Sequence, residues 1–216
     1  MHPYIILQYP YDKIDVALCN NGNIIQLAQE HKFNAIKSTI PNISNMLEIH
    51  GLTLKDLNFI GVNVGPGPYN TLRAILTMAN GIHFASQVPL IKLTALDLLG
   101  DEYENQNTLV VLQAFADNVF YQFKDTNLIQ TGACKINELI EKLNNKSQPF
   151  LALGNGALAH KEKLEKEAVG KIIFPKTIPL FNSIQSLAKK SFELSLQNKF
   201  EKDYLKPIYF EDLSTK

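Results

Sequence analysis

Cysteine is scarce in this sequence: Cys19 and Cys134 are the two thiols in 216 residues. Two are too few for a disulfide framework or a paired-cysteine zinc site. Both are expected to be small buried or half-buried thiols in a reducing compartment. Long apolar runs are absent as well, since none approaches the ~20 residues that a membrane helix needs. Met1-His2-Pro3-Tyr4 carries neither a basic region nor a cleavable apolar core, so a cytoplasmic protein is expected. An excess of charge of either sign is missing too, with 21 basic and 21 acidic residues. A chain that gripped RNA alone would show a basic excess, because counterion release drives such binding. Any contact with RNA is therefore expected to go through a partner.

Motifs for autonomous catalysis are equally lacking. There is no HExxH, no CxxC pair and no GxxxxGK[ST]. His2, His31, His50, His83 and His160 are scattered, none at metal-ligand spacing from another. What remains is an ordinary globular composition, 45% hydrophobic and 19% charged. A chain of this length buries roughly 70% of its unfolded surface, as one large domain or two smaller lobes.

The pattern along the chain favours two lobes. Tyr4–Gln8 reads as a buried strand and Ile14–Leu18 as a half-buried one, with Asn21-Gly22 turning as type I′ into Ile24–Leu27. Leu109–Gln113, Val119–Phe123 and the turn Asp125-Thr126-Asn127 into Leu128–Gln130 repeat that order. At one ungapped offset Leu7 matches Leu112, Gln8 matches Gln113, Asp12 matches Asp117 and Ile24 matches Ile129. Each half then ends a further strand in a glycine turn, Gly65-Pro66-Gly67 after Phe59–Val64 and Gly154-Asn155-Gly156 after Phe150–Leu153. The polar stretch at 100–107 is the expected boundary, giving lobes at 1–105 and 106–216. The fold class is α/β, a duplicated strand–strand–strand–helix–strand–helix plan.

Two segments read as helices. Residues 34–50 place Ile36, Ile40, Ile43 and Leu47 at helical spacing, with Gly51 to end the helix and Pro41 to bend or tighten it. Residues 71–87 follow the glycine turn, with Asn70 as the expected N-cap. Leu72, Ile75, Ala79 and Ile82 form one stripe, and Ala74, Met78, Gly81 and Ala85 a second stripe of mostly small residues. Such a helix is buried on two sides, either between its own sheet and a neighbouring helix or against a helix of another subunit. The glycine turn itself is either a tight connection that binds nothing or, with Gly65, Gly67 and Arg73, a phosphate-proximal site.

Gly65-Pro66-Gly67-Pro68-Tyr69-Asn70-Thr71-Leu72-Arg73, continued by Ala79-Asn80-Gly81 and Val88-Pro89-Leu90, resembles the G-P-G-S-F-T-G-L-R…A-K-G-L-A…P stretch of the bacterial TsaB (YeaZ) family. Val16-Ala17-Leu18, His31, Pro41, Leu54–Leu57, Leu151–Gly156 and Lys206–Tyr209 extend the resemblance over most of the chain. It implies the two-lobed fold of the actin, hexokinase and Hsp70 (ASKHA) superfamily and a part in making threonylcarbamoyladenosine in tRNA. It further implies a non-catalytic scaffold that pairs with a TsaD-type catalytic subunit and, through that pair, meets a TsaE-type ATPase and tRNA. In the family the two helices form a four-helix contact, so Ile36, Ile40, Ile43, Leu47, Ala74, Met78, Gly81 and Ala85 are the expected interface. A homodimer through the same face is expected when the chain is alone.

The resemblance also bears on chemistry. The catalytic relative carries two metal-binding histidines four residues apart where this chain has Ala95 and Leu99. Nucleotide-using members place a carboxylate where the strands here end in Gln8 and Gln113, and an amide does not offset Mg²⁺ charge. No catalytic or metal-binding residue is therefore assigned, no cofactor is expected on the chain alone, and ATP or ADP with a metal is expected only with the TsaD-type subunit. The reading set against it is an autonomous nucleotide-dependent transferase or peptidase of the same superfamily.

Overall fold

The computed structural model describes residues 2–208 apart from 104, 105 and 127, together with Phe210. Its first sheet contains β1 (Pro3–Gln8), β2 (Lys13–Asn20), β3 (Asn23–His31), β4 (Ile60–Asn63) and β5 (Leu90–Leu93), in the order β3-β2-β1-β4-β5. The β1–β2–β3 pairs are antiparallel, while β1–β4 and β4–β5 are parallel. The second sheet contains β6 (Thr108–Gln113), β7 (Asn118–Lys124), β8 (Ile129–Lys135), β9 (Phe150–Leu153) and β10 (Ile172–Ile173), in the order β10-β9-β6-β7-β8. Position for position this is the first sheet again: a meander, then parallel strands added on the other side of its first strand. The repeat expected from the sequence is present in the topology.

Backbone conformation repeats as well. Tyr11 after β1 and Ala116 after β6 both have positive φ, at 67° and 55°. Gly65 after β4 and Gly154 after β9 sit at φ 101° and 100°. The ungapped offset does not survive intact. Gln8 pairs with Asp15 across residues 9–14, whereas Gln113 pairs with Val119 across residues 114–118, one residue fewer. The first hairpin is the expected type I′, with Asn21 at φ 50° and Gly22 at φ 81°. In the second, Leu128 N–H donates to Asp125 Oδ1 at 2.9 Å; the expected turn residue Asn127 lies outside the described residues.

Helices α1 (Lys32–Ile49) and α2 (Tyr69–Ser86) cover one face of the first sheet. Ile5, Leu7, Val16, Leu18, Ile60 and Val62 meet Ile43, Met46 and Leu47 of α1 and Leu72, Ile75 and Ala79 of α2 there. The other face is covered by α7 (Ile184–Leu196), which buries Leu187, Ala188 and Ser191. Burial on both sides makes β2 interior from Ile14 to Cys19, and not half-buried as its apolar-polar alternation suggested. In the second sheet α4 (Ile136–Asn144), α5 (Asn155–Ala159) and α6 (Lys161–Glu167) supply Leu139, Ile140, Leu143, Ala157 and Leu164 to the core. Its far face takes α3 (Ala95–Asp101), held by Asp97 accepting from Gln122 and Asp101 pairing with Lys124.

The compact units among the described residues are accordingly 2–94 with 183–208, and 95–182 with 210. They differ from the single division at 105/106 because α3 and α7 each join the sheet built by the other half of the chain. A linear reading of polarity does not register that exchange.

The glycine turns differ sharply in tolerance. A Cβ on Gly154 would stand 2.2 Å from the Val111 carbonyl oxygen, whereas one on Gly51, at φ +63°, meets nothing within 4 Å. Gly154→Ala is expected to cost roughly 3 kcal/mol or more and lower the melting temperature by at least about 6 °C, against about 1 kcal/mol for Gly51→Ala. Thermal unfolding of the two variants checks the difference.

Candidate functional site

Helix α1 ends as its sequence demands. Gly51 N–H donates to the Glu48 carbonyl at 3.1 Å and Leu52 N–H to the Leu47 carbonyl at 2.8 Å, the two bonds of a Schellman cap. The reversal brings Leu52 and Leu54 back beside Leu47. Together with Ile40, Ile43, Ser44, Glu48, Thr53 and Ile82 they line a groove of about 450 Å³ between α1 and α2. Pro41 lies inside α1 without ending it. The Asp56 carboxyl, bonded by the Thr53 side chain and backbone, is held below the usual aspartate range and closes the turn that follows the cap.

The eight expected interface residues fall into two groups. Ile43 and Leu47 are 3% and 5% exposed and pack into the unit's own core, presenting to the exterior the floor of the groove. Ile36 and Ile40 point outward at 45% and 43% exposure. On α2 the stripe Leu72, Ile75, Ala79 faces the sheet; Ala74 and Met78 are half-buried, and Gly81 and Ala85 are exposed. Beyond its chain neighbours and its own turn of helix backbone, no atom lies within 4 Å of a Cβ built on Gly81. The second stripe is therefore outer surface and not core. Sequence periodicity put Ile82 on the stripe that faces the sheet, whereas it lines the groove; periodicity did not register Phe33 and Phe84, exposed at 82% and 69%, nor Leu52 and Leu54 in the groove. For Leu52 and Leu54 the capping glycine was the signal, because it folds the next residues back onto the helix.

The glycine turn is occupied with its own geometry. Gly65 N–H donates to Asn63 Oδ1 at 3.0 Å, and a Cβ on Gly65 would meet Leu72 Cδ2 at 2.8 Å. The positive φ thus lets the first inward residue of α2 close over the end of β4. Pro68, not Asn70, is the N-cap; Asn70 lies inside the helix, which begins at Tyr69, ahead of the first apolar stripe. Gly67 is half-buried. The Arg73 guanidinium lies over the Tyr69 ring, 3.8 Å from its centroid.

At the end of β1 the chemistry is closed. Gln8 is 2% exposed, and its amide donates to Asp15 Oδ2 at 2.8 Å. Gln29 donates to the other oxygen at 2.7 Å, and Lys13 stands 3.5 Å from it. Both carboxylate oxygens of Asp15 are engaged, so this strand end does not fit a metal–phosphate group. In the second unit Gln113 Oε1 accepts from Asn155 Nδ2 at 3.3 Å, tying the other amide to the Gly-Asn-Gly turn. Ala95 and Leu99 both lie on α3, where Leu99 is fully buried. Among the described residues no group of three or more His, Cys, Asp or Glu is placed to hold a metal, and no helix is long and apolar enough to cross a membrane. Both cysteines are buried free thiols, as expected.

Two α/β units of one topology, each a five-stranded sheet with helices on both faces, define an actin-like fold. A solved Bacteroides thetaiotaomicron protein with an actin-like ATPase fold superposes with a TM-score of 0.51 at 7% identity, over 87% of this chain and 95% of that one. YeaZ from Pseudomonas aeruginosa superposes with a TM-score of 0.70 at 16% identity, over 97% and 100%. In sequence, the tRNA threonylcarbamoyladenosine biosynthesis protein TsaB of Buchnera aphidicola subsp. Schizaphis graminum is 24% identical over 176 residues, 76% of this chain and 84% of its own length. The model of the family described as TsaD, tRNA N6-adenosine threonylcarbamoyltransferase, matches residues 27–206. The chain belongs to that family, on the side of its TsaB (YeaZ) relatives.

Two outcomes are expected from this geometry. Gln8→Glu sets a second carboxylate against Asp15 in a buried site, so stability at pH 7 should fall by about 3 kcal/mol and recover in acid as the pair takes up a proton. Denaturant titrations at pH 7 and 4.5 measure it. Burial also pushes the Cys19 thiol from 9.0 up to about 12 and the Cys134 thiol up to about 11, and raises the Tyr4 hydroxyl. The unfolded thiols ionise near their ordinary value while the folded ones stay neutral. The stability these groups contribute is thus complete below pH 9 and lost as pH rises towards 11–12. A melting-temperature series from pH 8 to 11 should fall accordingly, less steeply in Cys19→Ala.

Proposed function

We propose that this chain is the non-catalytic scaffold subunit in threonylcarbamoyl transfer to the adenosine next to the anticodon of tRNAs that read ANN codons. It docks through α1 and α2 onto a TsaD-type catalytic subunit, and a TsaE-type ATPase and tRNA join through that pair. Nucleotide and metal belong to the assembly and not to this chain alone. The observation that carries the reading is the outer face of α1 and α2: exposed isoleucines, an apolar groove, and a glycine with open space where a partner helix would cross. Small residues at Ala74, Gly81 and Ala85 let that helix approach to the near end of the usual ~8–10 Å separation. The apolar area covered contributes ~25 cal/mol per Å² before the costs of association. Left uncovered, the same face pairs with its copy, so homodimer and heterodimer compete for one surface.

Gly81→Leu and Ala74→Glu are expected to weaken both assemblies by ~100-fold or more, through overpacking and an unpaired buried charge, while the circular dichroism of the monomer stays unchanged. Sizing chromatography and co-purification with a tagged TsaD-type subunit measure the two assemblies. The isolated chain with ATP and Mg²⁺ is expected to show no turnover. A rate of ~1 s⁻¹ or more would replace this reading with an autonomous transferase.

A further inference from the structure

The C-terminal stretch 201–208 runs without helix or ladder pairing of its own, yet it is fastened to the first unit at both ends and in the middle. Glu201 N–H donates to the Leu90 carbonyl at 2.8 Å, and the Glu201 carboxylate pairs with Lys92 at 2.9 Å. At the far end Ile208 N–H reaches the Val64 carbonyl, at the strand end that leads into the glycine turn. In the middle, a single side chain on α2 grips the backbone twice. Asn80 Nδ2 donates to the Leu205 carbonyl at 3.0 Å, and Leu205 N–H donates to Asn80 Oδ1 at 2.8 Å. That pair copies what a neighbouring β-strand residue would offer an extended chain. Beneath it Leu205 is 4% exposed, packed in the core that holds Leu72, Ile75 and Leu76, and Tyr204 lies edge-on to His83, one turn along α2.

Three successive residues of α2 therefore look three ways. Ala79 is buried against the sheet, Asn80 clamps the C-terminal strap, and Gly81 opens to the exterior. A helix seated on a sheet through small and aliphatic side chains can still roll about its axis, because apolar contact is not directional. Two hydrogen bonds from its flank to a fixed backbone remove that freedom. We infer that Asn80 is a positioning residue for partner docking: through the strap it sets the rotation of α2 and so the direction in which Ala74, Met78, Gly81 and Ala85 are presented. The inference rests on the docking role proposed above for that face. Only an amide of this length both donates to and accepts from the main chain of one residue; aspartate accepts but cannot donate, and alanine and leucine do neither.

The full-length chain carrying Asn80→Ala or the near-isosteric Asn80→Leu, neither of which can accept from the Leu205 amide, tests it, with two readouts. Hydrogen exchange at the Leu205 amide, the donor to Asn80, should accelerate at least tenfold. Affinity for a purified TsaD-type subunit should fall about tenfold, with circular dichroism unchanged. Gly170→Ala, strained at φ +73° in open space in the other unit, supplies a comparable loss of melting temperature and should leave affinity alone. If Leu205 exchange does not change, or accelerates while affinity holds, Asn80 is not positioning the helix. The same follows if Gly170→Ala weakens binding equally, since the effect is then general destabilisation. Gly81→Leu run beside them separates the failures: if it too binds normally, the docking face is elsewhere and the inference falls with that reading.

Discussion

Gly61 lies where α7 crosses the first sheet, and the closeness of that crossing governs the rest of the unit. A Cβ there would stand 2.5 Å from Ser191 Oγ and 2.6 Å from Ile6 Cδ1. With no side chain in the way, α7 lies directly on β1 and β4, and Tyr4 reaches through to the Ala188 carbonyl at 3.0 Å. Phe59 and Phe192 both stack with the Tyr4 ring. Without that cover the face bearing Tyr4, Ile6 and Ala17 would meet water, at a cost of roughly 1.5–3 kcal/mol for each large side chain exposed. The sheet is buried on both sides, and this is why β2 is interior although its sequence alternates as a half-buried strand does.

That double cover has a consequence for α1 and α2. Their inward residues are already committed to the sheet, so anything apolar left over on them faces outward. Ile36, Ile40, Phe33 and Phe84 are such a surplus, concentrated on two neighbouring elements and bordered by the groove that the Schellman cap builds. Singly exposed apolar residues are unremarkable on a protein surface; several on two neighbouring helices, with an apolar groove beside them, are the surface on which the docking proposal rests.

The strand ends tell the complementary story. In a sheet of this class the end of the first strand is where a ligand's charge would be met. Here Gln8 and Gln29 close on Asp15, and Gln113 closes on Asn155, so the polar groups at these positions satisfy each other. A buried carboxylate with both oxygens engaged stabilises the fold locally and leaves little to offer a phosphate or a metal.

Much of this was legible along the chain because it is local. Alternation and turn chemistry located the strands, Asn21-Gly22 dictated its hairpin, and Gly51 ended α1 through the left-handed conformation that glycine adopts without strain. The two stripes of α2 follow from helical periodicity alone, as does the duplicated order of elements. What lay beyond reach was decided by contacts between distant residues. Asn70 looked like a cap because its side chain suits one, yet closure of Leu72 over Gly65 starts the helix at Tyr69. Ile43 and Leu47 share a stripe with Ile36 and Ile40, but the packing of α1 on the sheet puts one pair in the core and leaves the other exposed. Above all, the exchange of α3 and α7 between the sheets, and the grip of Asn80 on Leu205 across 125 residues, leave no trace in local pattern. Periodicity reports which face of an element is apolar; only packing decides what that face is buried against.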